Sequence, residues 1–236
     1  MMADRTAALD DPVGESLRGH HRHLARRLGR AAGYLPQVAT FCAVSADPDP
    51  DPAEWTDLAR LLGRDELADL FSAPATPPDD WEPVFALGGV QMISPVGGLP
   101  GPAETGPASR LVELGVRDVP EMLKLAARTQ PGPFWPRTHE LGTYLGIRQN
   151  GTLVAMAGER LHPPGWTEIS AVCTAPEARG QGHAARLVRA LAAGIVRRNE
   201  RPFLHVASAN TGAIALYERL GFEVRKQVTF RGFRTP

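Results

Sequence analysis

Cysteine is scarce in this sequence. Cys42 and Cys173 are the two in 236 residues. Both lie in apolar runs, which argues against a disulfide framework and for buried free thiols in a reducing compartment. Net charge is missing as well: Lys+Arg and Asp+Glu each count 26, so the basic excess of a nucleic-acid or polyanion binder is absent. Long apolar runs are also lacking. The longest helical one, Leu187 to Val196, is broken by Arg189 and is too short to span a bilayer. The opening residues, Met1 to Thr6, have no apolar signal-peptide core. The expectation is a soluble, cytoplasmic protein with no membrane or nucleic-acid partner. Two familiar phosphate-binding signatures are missing too. No G-x-G-x-x-G spacing follows a strand, and no Gly-Lys-Ser/Thr closes a glycine loop.

Proline and glycine, by contrast, are plentiful at 22 and 24, and they punctuate the chain. Residues 1 to 14 show no periodicity. Glu15 to Arg30 reads as a basic helix with Leu17, Leu24 and Leu28 on one side; His20, His21 and His23 sit on its solvated face, and no carboxylate or cysteine stands at metal-ligand spacing beside them. Gln37 to Ser45 reads as a strand, Glu54 to Leu62 and Asp65 to Phe71 as short helices, and Val84 to Ile93 as one more strand. Residues 95–108 form a proline- and glycine-rich linker. It separates an N-terminal extension, 1–94, from a domain at 109–236. The extension runs helix, strand, two short helices and strand.

After the linker come a strand at Arg110 to Leu114, a helix from Asp118 to about Arg128, and a loop, Pro131 to Pro136, that carries Phe134 and Trp135. Strands at Thr143 to Gln149 and Thr152 to Leu161 flank an Asn150-Gly151 hairpin turn. The centre of the domain is Ile169 to Val188. An apolar strand ends before Pro176, a glycine loop Arg179-Gly180-Gln181-Gly182-His183-Ala184 follows, and Ala184, Leu187, Val188, Leu191 and Ile195 then recur at helical spacing. A helix start presents unpaired backbone N–H groups and partial positive charge, and glycines let a diphosphate come close. Arg179 and Arg186 add charge. Downstream, Phe203 to Ser208 reads as a strand and Asn210 to Gly221 as a helix, with Ser208 or Asn210 as its N-cap and Gly221 as its C-cap. Asn210, Ala213 and Tyr217 share a face of it. Glu223 to Lys226 and Gln227 to Phe233 read as two final strands.

These residues resemble the GNAT superfamily of acyl-CoA-dependent N-acyltransferases. Arg179-x-x-Gly182-x-Ala184 is similar to its diphosphate loop, Asn210-x-x-Ala213-x-x-x-Tyr217 to its second signature, and Leu220-Gly221-Phe222 to the end of that helix. The resemblance covers about Ser109 to Phe233; the extension, 1–94, is compatible with a reduced acyltransferase-like half, which either shapes an acceptor pocket, makes a subunit interface or only stabilises. Glu140-Leu-Gly, Ala155 to Arg160 and Glu168 to Thr174 resemble the branch of glycine N-acyltransferase-like proteins. His183 departs from the pattern, since the family more often has an apolar or aromatic residue there. The implied fold is α/β, a mixed α+β sheet with helices on its faces.

The implied chemistry is acetyl transfer from acetyl-CoA, as co-substrate and with no metal, to a small-molecule or peptide amine. The amine attacks directly in a ternary complex. Gly180 to Ala184 hold the diphosphate, Val172 to Thr174 pair with the pantetheine arm, and a backbone N–H near Val172 or Cys173 serves the oxyanion. Tyr217 is the candidate general acid, because a phenol titrates near ~10, close to a leaving thiolate. Glu168 is the candidate base, with Glu159, Glu140, His139 and His205 as alternatives. Cys173 is too apolar in its setting to be a nucleophile. A homodimer is compatible with this reading. Two other functions stay open: a non-catalytic acyl-CoA-binding module and an O-acyltransferase on the same fold.

Overall fold

The computed structural model describes residues 6–47, 49–99 and 111–236. Its centre is one sheet of eight strands. They are β4 (Leu67–Phe71), β5 (Glu82–Ile93), β6 (Leu111–Leu114), β7 (Tyr144–Gln149), β8 (Thr152–Glu159), β9 (Trp166–Thr174), β10 (Arg201–Ala207) and β11 (Glu223–Arg234). Across the sheet they run β4-β11-β5-β10-β9-β8-β7-β6. Every neighbouring pair is antiparallel except β9 and β10. The expected mixed α/β sheet is therefore what forms.

Segments on both sides of the linker build that sheet. β5 comes from the N-terminal stretch, yet it lies between β10 and β11 and pairs with both. β4 and β5 of the N-terminal stretch are thus part of the same sheet as the strands that follow the linker. Of the linker, residues 100 to 108 lie outside the described ones, while Leu99 packs on the main core. A smaller sheet, β1 (Ala25–Leu28), β2 (Ala31–Tyr34) and β3 (Cys42–Ala43), is joined to the large one by a single bridge, Phe41 to Asp69.

Helix α3 (Val119–Thr129) and helix α4 (His183–Arg197) complete the core around β8 and β9. Leu187, Val188, Leu191 and Ile195, predicted at helical spacing, are all buried on α4. Burial of each such side chain contributes about 1.5–3 kcal/mol. The crossover through α4 is what permits β9 and β10 to lie parallel. Helix α5 (Thr211–Leu220) follows β10. Asn210 caps it by accepting from the Ala213 N–H at 3.2 Å, and Gly221 ends it at φ 100°.

Four local expectations are corrected. Glu15 to Arg30 is not one helix: α1 (Pro12–Arg18) stops at Gly19, a 3-10 turn spans Arg22–Leu24, and β1 follows. The cause is tertiary. His21 turns inward, with Nδ1 2.8 Å from the Tyr34 hydroxyl and Nε2 3.0 Å from the Leu141 carbonyl. Gln37 to Ser45 supplies only the short β3. Asp65 to Phe71 is strand β4, because β11 offers it an antiparallel ladder. The two final strands are one strand, β11, interrupted by a register shift between Val224 and Lys226. The helix read at Glu54 to Leu62 does form, as α2 (Pro52–Leu62).

Candidate active site

β9 and β10 pair at only three positions, Arg201 with Trp166, Pro202 with Thr167 and Phe203 with Glu168. Beyond Glu168 the strands diverge. Ala171 sits in the left-handed region at φ 52°, and the β8–β9 register shifts between Met156 and Gly158. A left-handed non-glycine residue costs about 1 kcal/mol, and such a bulge re-aims the strand and frees backbone groups from the ladder. The gap opens into a cavity of about 390 Å³. Ser170, Ala171 and Val172 of β9 form one wall, Val206 and Ala207 of β10 another, and Asn210, Ala213 and Tyr217 project from α5. The α5 face predicted from spacing thus points into the gap.

Tyr217 is 8% exposed, and burial pushes its phenol up to about 12. It therefore keeps its proton at neutral pH and is able to donate it. Cys173 is buried with its thiol pushed up by burial, which makes it unreactive as read from its apolar setting. Neither Cys173 nor Thr174 lines the cavity; Val172 does.

The glycine loop leads directly into α4. Gly180 and Gly182 have φ of 77° and 74°, and a side chain added at either position would meet nothing within 4 Å. Gly182 is the N-cap of a 15-residue helix and makes no side-chain cap, and the space beside its Cα is open. That arrangement suits a diphosphate. His183, the departure noted in the sequence, is buried and aims its Nε2 at the Gln149 amide 3.1 Å away, while the same amide donates to Gln181 at 2.7 Å. It braces the loop from behind. Arg179 donates to the Thr174 carbonyl at 3.4 Å.

A family profile described as FR47-like protein matches residues 144–231. Among solved structures, a GNAT-family protein from Novosphingobium aromaticivorans DSM 12444 is 37% identical, over 97% of this chain and 99% of that one, with a TM-score of 0.83. The chain belongs to the GNAT family. A GCN5-related N-acetyltransferase from Kribbella flavida shares the fold over 97% of this chain and 96% of its own, at 18% identity and a TM-score of 0.64. No curated protein matches the sequence. No helix among the described residues is long and apolar enough to cross a membrane.

Within this GNAT fold, the candidate base Glu168 lies behind the cavity wall rather than in it. It is 0% exposed; Arg160 donates to both of its oxygens at 2.7 Å, and His205 Nδ1 lies 2.6 Å from Oε1. Burial would raise its carboxyl, but Arg160 and His205 outweigh that and hold it at about 2. A carboxylate so engaged is a poor proton acceptor, so Glu168 is a structural anion and not the base. The alternatives lie elsewhere. Glu159 is buried against Arg198 at 2.7 Å, Glu140 pairs with Arg137 at 2.7 Å, and His139 is exposed beside the Pro136 carbonyl. His205 does line the cavity, but its burial lowers its basicity and Glu168 occupies Nδ1. Phe134, in the loop after α3, packs edge-on against Tyr144 at 5.8 Å, and its neighbours Pro131, Gly132 and Pro133 line the cavity.

The sequence reading missed Asp69, Phe41, Phe71, Phe85, Leu87 and Phe230, which come from the N-terminal strands and from β11 and close the far end of the cavity. No motif marks them. The alternation of Asp69 and Phe71 in β4 was the one available signal.

Proposed function

We propose that this chain is an N-acetyltransferase that moves an acetyl group from acetyl-CoA to an amine by direct attack in a ternary complex. Acetyl-CoA supplies the activated thioester. The residues fit that co-substrate: the open, uncapped start of α4 at Gly182 suits its diphosphate, and the cavity where β9 and β10 part is walled by Ser170 to Val172, beside which an extended arm can lie. Within the family, Ala155 to Arg160 and Glu168 to Thr174 support placement beside the glycine N-acyltransferase-like branch.

The observation that carries this reading is Tyr217. It is the one phenol among the cavity-lining residues, it stands opposite Val172 across the β9–β10 gap, and burial keeps it protonated. Attack of the amine nitrogen on the carbonyl carbon breaks the C–S bond as the tetrahedral species collapses. Tyr217 gives its proton to the departing sulfur, and free backbone N–H groups near Val172 stabilise the oxyanion.

Tyr217→Phe tests this. It keeps the ring and removes the proton, so kcat should fall on the order of 10²-fold while acetyl-CoA affinity barely moves. The loss should shrink with a donor whose leaving thiol is more acidic. Turnover of Tyr217→Phe at the wild-type rate would place the acid elsewhere. Tight acetyl-CoA binding with no thiol release for any amine would favour a binding module over an enzyme.

A further inference from the structure

The far end of the cavity has a composition of its own. Phe71 and Phe230 stack almost parallel, 4.5 Å apart at 4°, and Phe41 tilts onto Phe71 at 4.7 Å. Phe85 and Leu87 stand at 40% and 47% exposure where the cavity meets solvent. Asp69 lies in this apolar wall, 5% exposed, and accepts from the Thr40 hydroxyl at 2.8 Å on Oδ2. Resting on the acetyl-transfer reading above, we infer that this end is the acceptor subsite. It takes a primary ammonium carried on a flat apolar body, with Asp69 as its counter-ion and first proton acceptor.

Charge balance is the main support. The ionisable groups nearest Asp69 are Arg160, which lines the same cavity and lies over the Phe71 ring at 4.5 Å, and the Cys42 thiol on β3; His205 also lines the cavity, and Glu168 is buried behind it against both. Arg160 is engaged twice by Glu168, and its charge is matched there. Burial keeps His205 neutral, and burial raises the Cys42 thiol so that it carries no charge. Ionised Asp69 thus leaves one negative charge over in a wall of aromatic rings. An isolated buried anion is unfavourable, and a ligand cation is the group that completes it. The ring faces also favour a cation over an anion. Burial, opposed by Thr40 and Arg160, sets the Asp69 carboxyl at about 6, so it is ionised at neutral pH and more basic than an ordinary carboxylate. An acceptor with its own carboxylate would place like charge beside Asp69, and a polyamine would leave a second ammonium among Phe85, Leu87 and Phe230.

The proton count closes. Asp69 takes one proton from R–NH3+ and passes it to solvent. The freed nitrogen lone pair then forms the C–N bond as the C–S bond breaks. The second N–H proton, lost on collapse, replaces the one that Tyr217 gives to sulfur.

The test uses 2-phenylethylamine as probe, against glycine and spermidine, with the full chain. Binding is read by calorimetry with coenzyme A present, and transfer by thiol release with acetyl-CoA. Wild type should bind 2-phenylethylamine well above the other two. Asp69→Asn, which still offers Thr40 an oxygen, should melt normally but bind it on the order of 10-fold or more weakly at pH 7. If it turns over, the Asp69→Asn deficit should close as pH rises toward the amine's own value near ~10. Equal binding by wild type and Asp69→Asn, or preferred binding of glycine or spermidine, overturns the subsite assignment whatever the activity. Asp69-dependent binding without thiol release supports the subsite while refuting the transfer reading.

Discussion

Arg160 and Glu168 face each other across the β8–β9 turn and share two hydrogen bonds, each 2.7 Å, eight residues apart in the chain. The guanidinium also lies over Phe71, 4.5 Å from its centroid, and 5.2 Å from that of Phe41. One largely buried ion pair thereby ties β9, at the point where the strands begin to part, to the aromatic wall contributed by the N-terminal strands. This couples the position of the gap to the shape of the far end of the cavity.

Breaking that pair from one side should unfold more than it slows. Glu168→Gln leaves Arg160 buried without its anion, and a loss of about 3–5 kcal/mol is expected. Urea denaturation at pH 7 checks it. A rate defect without a stability defect would return Glu168 to the list of bases.

The diphosphate loop can be tested without damaging the fold. Gly182 has φ 74° and open space at its Cβ. Asparagine tolerates that conformation far better than valine does. Gly182→Asn should therefore retain its melting temperature within a few degrees but lose acetyl-CoA affinity. Gly182→Val should lose both, the stability by about 1–2 kcal/mol. Calorimetric titration with acetyl-CoA reads the difference; unchanged affinity in both would remove the loop from the site.

Gly89 on β5 lets Phe230 of the neighbouring β11 lie flat, since a Cβ there would sit 2.5 Å from that ring. Gly89→Ala should push Phe230 into the cavity. The expected outcome is a stability loss of about 1–3 kcal/mol from overpacking, with a raised KM for the amine and little change for acetyl-CoA. Equal changes in both KM values would speak against an acceptor site at Phe230.

Acid should destabilise the protein well before ordinary carboxylates titrate. Burial holds His21 at about 4 and His162 at about 2, and burial lowers His205 despite the Glu168 partner. Folded values below the unfolded ~6.5 mean that this stability is complete above pH 6.5 and is lost as pH falls toward 4. Asp69 acts the other way. Its folded value near 6 exceeds the unfolded 3.8, so its neutral form favours folding at low pH and its ionisation costs stability as pH rises through 6. The displacements of His21 and His162 together exceed that of Asp69, so a net loss of stability is expected between pH 7.5 and 4.5. Denaturant midpoints across that range check the sign. The Asp69→Asn variant should be more stable than wild type at pH 8, by on the order of 1–3 kcal/mol.

Residues 144–231 carried most of what could be read in advance. There the signals are local: an apolar strand, glycines before a helical period, a capping Asn210, a left-handed Gly221. Each rests on interactions within a few residues, so the order β7, β8, β9, α4, β10, α5 and the shared face of Asn210, Ala213 and Tyr217, which lines the cavity, followed from sequence alone. Even so, Glu168 was misassigned. Its partners are Arg160, just past the end of β8, and His205 on β10, and only they decide whether it acts as a base or as half of an ion pair.

What the sequence by itself determined, then, is the β9–loop–α4 unit, the Tyr217 helix and the family these belong to. Tertiary structure alone decided that β5 slips between β10 and β11, that Leu67 to Phe71 is a strand, and that Asp69 and Phe71 of β4 meet Phe230 of the neighbouring β11. A helix cap or a hairpin turn is specified by neighbours in the chain. The pairing of β4 with β11 joins residues more than 150 positions apart. It becomes favourable only once the sheet offers an edge to pair with, so no local pattern encodes it.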